Sequence, residues 1–149
     1  MNVLPQLSGR QSRNIGQSGP LVVIPQNCTG CRTCELACSF AHSQNGTLGH
    51  SRIRVYQVGQ ERHVQVTCLQ CVNAACVKVC PTEALIRNKQ TSAIEIDENR
   101  CIGCGLCATA CPFGHMHFNY EIHLPQKCDL CGGQPVCAKF CPHGALEWR

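Results

Sequence analysis

The feature that most constrains this chain is a short cysteine run ending in proline, CIGCGLCATACP, over residues 101–112. Its four thiols are separated by two, two and three residues and belong to Cys101, Cys104, Cys107 and Cys111. This spacing is typical of the ligands of a [4Fe-4S] cluster, because three thiolates two residues apart can wrap one corner of a cube. Gly103 and Gly105 lie inside the run, where positive φ angles allow backbone N–H groups to approach sulfur.

The last cysteine of this run predicts that a second run exists. We expect Cys111 to lie at the start of a helical turn, with its thiol directed away from its own loop. In chains with two clusters, the fourth cysteine of such a run is a ligand of the other cluster. The central run therefore requires a partner run elsewhere in the chain.

Three more runs repeat the pattern, so the chain contains four copies of one unit, a loop of three cysteines plus a helix that carries the fourth. The first run contains Cys28, Cys31, Cys34 and Cys38, with Ser39 in place of the proline. The second run contains Cys68, Cys71, Cys76 and Cys80, followed by Pro81. The fourth run contains Cys128, Cys131, Cys137 and Cys141, followed by Pro142. The middle spacer widens to four residues in the second run and to five in the fourth.

Disulfides and zinc sites are the other uses that sixteen cysteines in 149 residues can have. The N-terminus lacks an apolar signal region, which disfavours a disulfide scaffold. Zinc sites usually pair two C-x2-C units across a longer gap, unlike four cysteines within one short run. The sequence therefore predicts four [4Fe-4S] clusters, with each of the seven histidines at the surface or next to a ligand rather than acting as a ligand. A zinc-bound structural or nucleic-acid module remains the alternative from a different class.

Composition and charge limit both the core and the partners. Aromatic residues make up 5% of the chain and charged residues 15%, so a core of normal size is hard to build and folding should depend on loading the clusters. The formal net charge is +4, and four oxidised clusters of about −2 each bring it to about −4. The positive charge of the bare chain therefore indicates neither nucleic acid nor an anionic membrane. Because no stretch approaches 18 apolar residues, we expect no membrane insertion and a cytoplasmic location.

The remaining sequence predicts one domain of short elements behind an N-terminal arm. Residues 1–20 are rich in polar and small residues with scattered apolar ones, and they suit association with another subunit or with a second copy of this chain. Within residues 21–149 the predicted elements are a strand over 21–24, a hairpin over 52–58 and 63–66, a helical turn over 82–85, a hairpin between 86 and 96, and a strand over 116–120. The sequence Gly-Ala-Leu at 144–146 repeats Glu-Ala-Leu at 83–85.

Several ionisable residues lie among the cysteines without an assigned role. Five are basic and lie between or beside the cysteines: Arg32, Lys78, Arg100, Lys127 and Lys139. They either compensate charge at the surface or tune cluster potentials and docking, and the sequence leaves both roles open. His42 lies four residues after Cys38, where it can adjust the surroundings of one cluster. No dinucleotide-binding, phosphate-binding or nucleophile-elbow motif indicates a catalytic centre.

The four runs, in this order and with widened second and fourth loops, resemble the four-cluster ferredoxin-like electron-transfer subunits of molybdenum and tungsten oxidoreductases, formate dehydrogenases, hydrogenases and carbon monoxide dehydrogenases. Within that group, CTGCRTCELACSFAH followed by SRIRV is most similar to the small subunits that accompany tungsten-dependent aldehyde oxidoreductases. The resemblance implies an α+β double bacterial-type ferredoxin fold with short hairpins and short helices. It also implies an outer lobe over 21–67 and 112–149 and an inner lobe over 68–111.

The resemblance further implies ligation that crosses between runs. Each of four clusters would take three cysteines from one run and one from another. The four sets are Cys28, Cys31 and Cys34 with Cys141; Cys128, Cys131 and Cys137 with Cys38; Cys68, Cys71 and Cys76 with Cys111; and Cys101, Cys104 and Cys107 with Cys80.

The function that the resemblance implies is a non-catalytic relay of single electrons. Its partners would be a catalytic subunit, of the tungsten-pterin aldehyde oxidoreductase type, and a flavin or ferredoxin redox protein. A hydrogenase, formate dehydrogenase or carbon monoxide dehydrogenase system is the alternative within the family. An accessory protein of metalloenzyme maturation is the alternative outside electron transfer.

Overall fold

The computed structural model describes residues 19–149, so nearly all of the predicted N-terminal arm lies outside the described residues. The strands are β1 (Leu21–Val23), β2 (Ile53–Val58), β3 (Arg62–Thr67), β4 (Leu85–Arg87), β5 (Ile94–Ile96), β6 (His117–Asn119), β7 (Leu124–Gln126) and β8 (Leu146–Trp148). The helices are α1 (Thr33–Ala41), α2 (Ala75–Val79), α3 (Leu106–Ala110) and α4 (Val136–Lys139). Within residues 19–149, every helix is too short to cross a bilayer. The chain is a mixture of short helices and short strands, as expected.

The strands of the described residues form four separate two-stranded antiparallel sheets. Three are hairpins that join neighbours in sequence: β2 with β3, β4 with β5, and β6 with β7. The fourth joins β1 to β8, with Leu21 opposite Trp148, and so brings the two ends of the domain together. Isolated two-stranded sheets are marginally stable at best. Their stability must therefore come from what they pack against.

Most of the predicted strands are confirmed, and two further strands were not predicted. The strand over 21–24 and both hairpins are present within a residue or two of their expected bounds, and β6 lies within the strand expected over 116–120. β7 is only three residues long and contains Pro125, which disfavours a strand in the sequence. Pro125 is tolerated because β7 has a single partner strand, on which Phe118 lies opposite. β8 is equally short, and its only partner is at the other end of the domain.

The expectation that each fourth cysteine lies on a helix is wrong for three of the four runs. α2 ends at Val79 and α3 at Ala110, so Cys80 and Cys111 follow their helices with ψ angles of 113° and 109°. Cys111 therefore ends a helical turn rather than starting one. The physical reason is the following proline, whose ring disfavours the helical conformation for the residue before it. Cys141 likewise precedes a proline and lies beyond the end of α4.

The first run shows the effect of losing that proline. With Ser39 after Cys38, α1 continues for three more residues, to Ala41, and Cys38 lies inside the helix. α1 has nine residues, whereas the helices followed by Cys-Pro have four or five. The absence of proline thus changes where the helix ends.

The predicted helical turn over 82–85 is also wrong. Glu83 has a positive φ of 51°, which a helix does not allow, and Leu85 begins β4. Pro81 turns the chain so that the N–H of Ala84 donates to the sulfur of Cys80 at 3.3 Å. Leu85 is then buried as the first residue of the strand. The N–H of Ala84 therefore donates to the Cys80 sulfur instead of to a backbone carbonyl of a helix.

The buried side chains of the described residues form three small groups instead of one core. The first group lies between α1 and α4 and combines the cysteines of both helices with aliphatic residues such as Ile53 and Leu146. The second lies around α2 and α3 and contains Cys107 with Leu85, Ile94 and Met116. The third contains Ala93, Cys128 and Leu130. Cysteine is a member of every group, so the thiols occupy the place of a conventional core.

We expect the substitution Ser39→Pro to shorten α1 and to destabilise the anaerobically purified protein by about 3 kcal/mol. Proline at this position removes a helical N–H donor and drives Cys38 out of the helical conformation that it now has. The midpoint of thermal unfolding, followed by circular dichroism, measures the effect, with Ser39→Ala as the control. Equal midpoints for the two variants would contradict this account of the helix end.

Candidate metal centres

Three cavities are each lined by four cysteines that come from two different runs. The first contains Cys68, Cys71, Cys76 and Cys111. The second contains Cys101, Cys104, Cys107 and Cys80. The third contains Cys28, Cys31, Cys34 and Cys141. In each cavity the fourth cysteine comes from a different run than the other three.

The remaining four cysteines lie close enough to interact through their charges. Burial, followed by the neighbouring Asp129 carboxylate and the thiols of Cys38 and Cys128, raises the pKa of Cys131 to about 11. Burial and the thiols of Cys128, Cys38 and Cys131 raise the pKa of Cys137 even further. These four residues are Cys38, Cys128, Cys131 and Cys137, and they complete a fourth group.

The backbone follows the same path through the start of all four runs. The residue two positions after the first cysteine has a positive φ in each run, 74° at Gly30, 50° at Gln70, 68° at Gly103 and 56° at Leu130. Only glycine adopts this conformation without strain. Glycine occupies this position in the first and third runs, whereas Gln70 and Leu130 occupy it in the second and fourth. Gln70 and Leu130 adopt this strained conformation although they are not glycine. The positive φ within the C-x2-C loop is therefore a requirement of all four runs.

In two of these groups, the sulfur of the fourth cysteine accepts a hydrogen bond from a backbone N–H group. Ala84 donates to Cys80 at 3.3 Å and Ala145 donates to Cys141 at 3.2 Å, each four residues after its cysteine. The repeat of Ala-Leu at 84–85 and 145–146 therefore serves the same purpose twice. Burial opposes ionisation of Cys80, but the N–H of Ala84 and the hydroxyl of Thr82 outweigh it and lower the pKa of this thiol. Such donors stabilise a thiolate in the form that binds metal.

Cys38 obtains its donor from a different part of the chain. Because α1 continues beyond Cys38, the N–H of His42 is used by the carbonyl of Cys38 at 3.2 Å. The sulfur of Cys38 instead accepts from the N–H of Arg52, at 3.2 Å, immediately before β2. The Arg52 side chain also binds the Asp129 carboxylate at 2.7 Å, which ties this strand to the fourth run. Because α1 continues past Cys38, the N–H donor to its sulfur comes from Arg52, outside the helix.

His42 lies close to Asp129 and Cys131. Its Nε2 atom is 3.7 Å from Asp129, whose carboxylate also accepts from the N–H of Cys131 at 2.9 Å. His42, Asp129 and Cys131 have potential ligand atoms within 4.8 Å of one another. Burial, together with Arg52, lowers the pKa of His42 and disfavours its charged form. The carboxylate is already bound by Arg52, so this trio belongs to the surroundings of the Cys131 group.

The five basic residues noted in the sequence separate into two kinds. Four are exposed: Arg32, Lys78, Arg100 and Lys139. Lys127 is only 3% exposed and lines the cavity of the Cys68 group. Exposure of the first four fits surface charge compensation and docking alike, whereas Lys127 requires another explanation.

The chemistry of the thiols fits a bound cationic centre. Burial raises the pKa of Cys34 and of Cys107 to about 11, so these thiols stay protonated at neutral pH unless positive charge lies close to them. Thiolates are soft ligands, and four of them around one cavity are the donor set of an iron–sulfur cluster or of zinc. Sulfur-directed N–H groups and cavities lined by apolar residues favour the cluster.

Comparison with known proteins distinguishes between these metals. Residues 61–149 match the family described as the 4Fe-4S dicluster domain, and residues 25–41 match the 4Fe-4S binding domain. The chain is 39% identical over 130 residues to the polyferredoxin-like subunit of an aliphatic sulfonate oxidoreductase from Pyrococcus furiosus, a match that covers 85% of this chain and 75% of the relative.

Two bacterial relatives match over a similar length. The chain is 34% identical over 139 residues to the thiosulfate reductase electron transfer subunit PhsB of Salmonella typhi, with 83% of this chain and 71% of the relative covered. It is 33% identical over 140 residues to a subunit of the anaerobic dimethyl sulfoxide reductase of Escherichia coli, with 81% and 68% covered. All three relatives are named as subunits of oxidoreductases.

Proposed function

Because this chain belongs to the 4Fe-4S dicluster domain family and is an iron–sulfur subunit of the electron-transfer type, we propose that it relays single electrons through four [4Fe-4S] clusters. The observation that carries the proposal is the grouping of four cysteines from two runs around each of three cavities. The clusters supply one-electron chemistry, and four thiolates leave no open iron for a substrate. The chain's own residues hold, bury and separate the clusters, and we expect no catalytic activity from the subunit alone.

The ligand sets of the proposal are the crossed sets. Cys68, Cys71 and Cys76 act with Cys111, and Cys101, Cys104 and Cys107 act with Cys80. Cys28, Cys31 and Cys34 act with Cys141, and Cys128, Cys131 and Cys137 act with Cys38. An inner lobe of the second and third runs and an outer lobe of the first and fourth runs follow from this ligation. The packing of α2 against α3 and of α1 against α4 supports both lobes.

The buried groups support an order for the relay. The two outer sites share the group between α1 and α4, and the two inner sites share the group around α2 and α3. Cys68 of the inner lobe packs against the third group, which contains Cys128 of the outer lobe. The path therefore passes from one inner site to the other, crosses between Cys68 and Cys128, and continues through the outer lobe.

We propose a catalytic subunit of the tungsten-pterin aldehyde oxidoreductase type at one end of the path and a flavin or ferredoxin protein at the other. The motif likeness of residues 28–42 and 51–55 supports the first partner. The relatives from thiosulfate and dimethyl sulfoxide reductases favour a second candidate, in which the catalytic subunit is a different oxidoreductase. The cytoplasmic location and the association of copies through residues 1–20 stay predictions of the sequence.

Anaerobic purification of the native protein with its partner tests the function. We expect about 16 iron atoms for each copy of this chain, because each of four clusters contains four. A content near eight in folded protein would contradict the four-cluster relay, and zinc in place of iron would support the structural alternative.

The metal of the co-purified subunit tests the partner. Tungsten in that subunit is expected, and molybdenum or nickel would favour the other oxidoreductase systems. Recovery with assembly factors alone would support a role in metalloenzyme maturation. A pull-down from the same extract with an unrelated tagged protein is the control.

A further inference from the structure

Lys127 is a buried cation held by neutral acceptors. It follows β7 directly, precedes Cys128, and is only 3% exposed. Its ammonium group donates to the backbone oxygen of Cys128 at 2.6 Å, to the backbone oxygen of Ile94, and to Oε1 of Gln70 at 3.2 Å. All three acceptors are uncharged. The hydrogen bonds fix the position of the ammonium group without neutralising it.

A buried ammonium ion needs a counter-charge, because its transfer out of water is costly. In the part of the chain that the structure describes, no carboxylate oxygen lies within 4.0 Å of Lys127 Nζ. Thiols lie beside Lys127 instead. The cavity that Lys127 lines contains Cys68, Cys71, Cys76 and Cys111, and its Nζ atom donates to the backbone oxygen of Cys128. The negative charge that compensates Lys127 is therefore expected at the cysteine sites.

Two different cysteine sites lie next to this ammonium group. Lys127 lines the cavity of Cys68, Cys71, Cys76 and Cys111, which belongs to the inner lobe. It is also bonded to the carbonyl of its neighbour Cys128, which belongs to the outer lobe. Cys68 packs against the buried group that contains Cys128, so the two sites adjoin at this point. Lys127 thus lies at the junction of the lobes.

Gln70 holds the junction in one geometry. It lies between Cys68 and Cys71, with a φ of 50°. Its side-chain Nε2 donates to the backbone oxygen of Cys128 at 2.7 Å, and its Oε1 accepts from the N–H of Ile94 at 2.8 Å as well as from Lys127. One amide therefore connects the second run, the fourth run and β5. This explains why a residue other than glycine accepts the strained conformation in the second run.

We propose that Lys127 is a positioning residue that raises the reduction potentials of the two clusters on either side of the lobe junction, with Gln70 fixing its ammonium group between them. The inference rests on the four-cluster function proposed above. Reduction of a cluster adds one negative charge, and a fixed positive charge nearby stabilises the reduced form. An electron that passes between the two clusters leaves one and reduces the other, so a cation between them acts on both sides of that exchange.

Redox titration of the anaerobic protein, followed by electron paramagnetic resonance, tests the proposal. In Lys127→Gln we expect two of the four one-electron transitions to move to lower potential. At a fixed potential their ratio of reduced to oxidised cluster falls about tenfold, which is about 59 mV for a one-electron couple. The other two transitions stay in place. Lys78→Gln is the matched control, because it removes an exposed charge from α2, beside the same inner cluster, and leaves all four potentials unchanged.

Gln70→Glu provides a second, independent variant of nearly the same size. The new carboxylate neutralises the ammonium group from the side on which the amide now binds it, so the same two transitions must move in the same direction. This variant decides the question if Lys127→Gln does not fold. A shift of one transition, of all four, or of none would overturn the proposal, and so would an equal shift in Lys78→Gln.

Iron content separates this proposal from the function on which it rests. About 16 iron atoms for each chain in the unaltered protein, with potentials that Lys127→Gln does not change, would refute the role of Lys127 alone. An iron content far below that value in the unaltered, folded protein would refute the four-cluster relay itself.

Discussion

Removal of iron by a chelator is expected to unfold the described domain, with loss of most of its far-ultraviolet circular dichroism. The helices have four to nine residues, and the sheets have two strands each, so neither is stable alone. Every buried group of side chains includes cysteine. Without metal, the buried thiols leave cavities and lose the bonds that join distant runs, and metal binding is then part of the folding free energy.

The same chelator saturated with iron beforehand is the control, since it cannot remove metal. Addition of iron and sulfide to the unfolded chain should restore the spectrum. A spectrum that stays unchanged after complete loss of iron would show that the aliphatic groups around Ile53, Ile94 and Leu130 suffice as a core. That outcome would contradict the view that clusters replace a conventional core.

The substitution Cys111→Ser is expected to remove the cluster held by Cys68, Cys71 and Cys76, and not the cluster of its own run. Cys111 leaves α3 in an extended conformation and lines the cavity of the second run. Iron should fall from about 16 to roughly 12 atoms for each chain, because one of four cubes is lost. The substitution Cys80→Ser is the mirror-image variant and should remove the cluster of the third run.

Double variants identify which cluster each cysteine holds. Residues that bind one cluster act as a unit, so their effects on its loss do not add. Cys111→Ser combined with Cys71→Ser should therefore lose no more iron than either change alone. Cys111→Ser combined with Cys104→Ser should leave roughly 8 atoms, since two cubes are lost. The reverse pattern would show that ligation stays within each run.

Local features of this chain were predictable from its sequence, because cysteine spacing and alternating strands are local signals. The run at Cys101–Pro112 identifies the type of site, and the hairpins of β2 with β3 and of β4 with β5 follow from alternation and turn residues. The helix ends were not predicted correctly, although the information was present. Proline after Cys80 and Cys111 restricts each cysteine to an extended conformation, and that restriction outweighs the helical pattern before it.

Contacts between distant residues could not be predicted from the sequence. The pairing of β1 with β8 joins two three-residue segments, neither of which indicates its partner. Lys127 looked like four other basic residues near cysteines, and only the fold shows that it is buried against Gln70 and Ile94. Gln70 itself gave no signal, because its role depends on a side-chain contact with the fourth run. Burial and pairing depend on the whole chain, whereas spacing does not.

The grouping of the first run with the end of the domain also sets the order in which the cysteine groups become complete during synthesis on the ribosome. Both inner groups of cysteines are complete once residue 111 has emerged, whereas Cys31 shares a cavity with Cys141, 110 residues later. At roughly 5–20 residues per second, the first thiols wait on the order of 5 to 20 s for their fourth member. With the proposed ligand sets, the nascent chain exposes thiols from the first run during that time, while both inner sets of cysteines are already complete. The cysteine group of the first run is therefore completed only when the last residues of the domain are made, and β8 then pairs with β1.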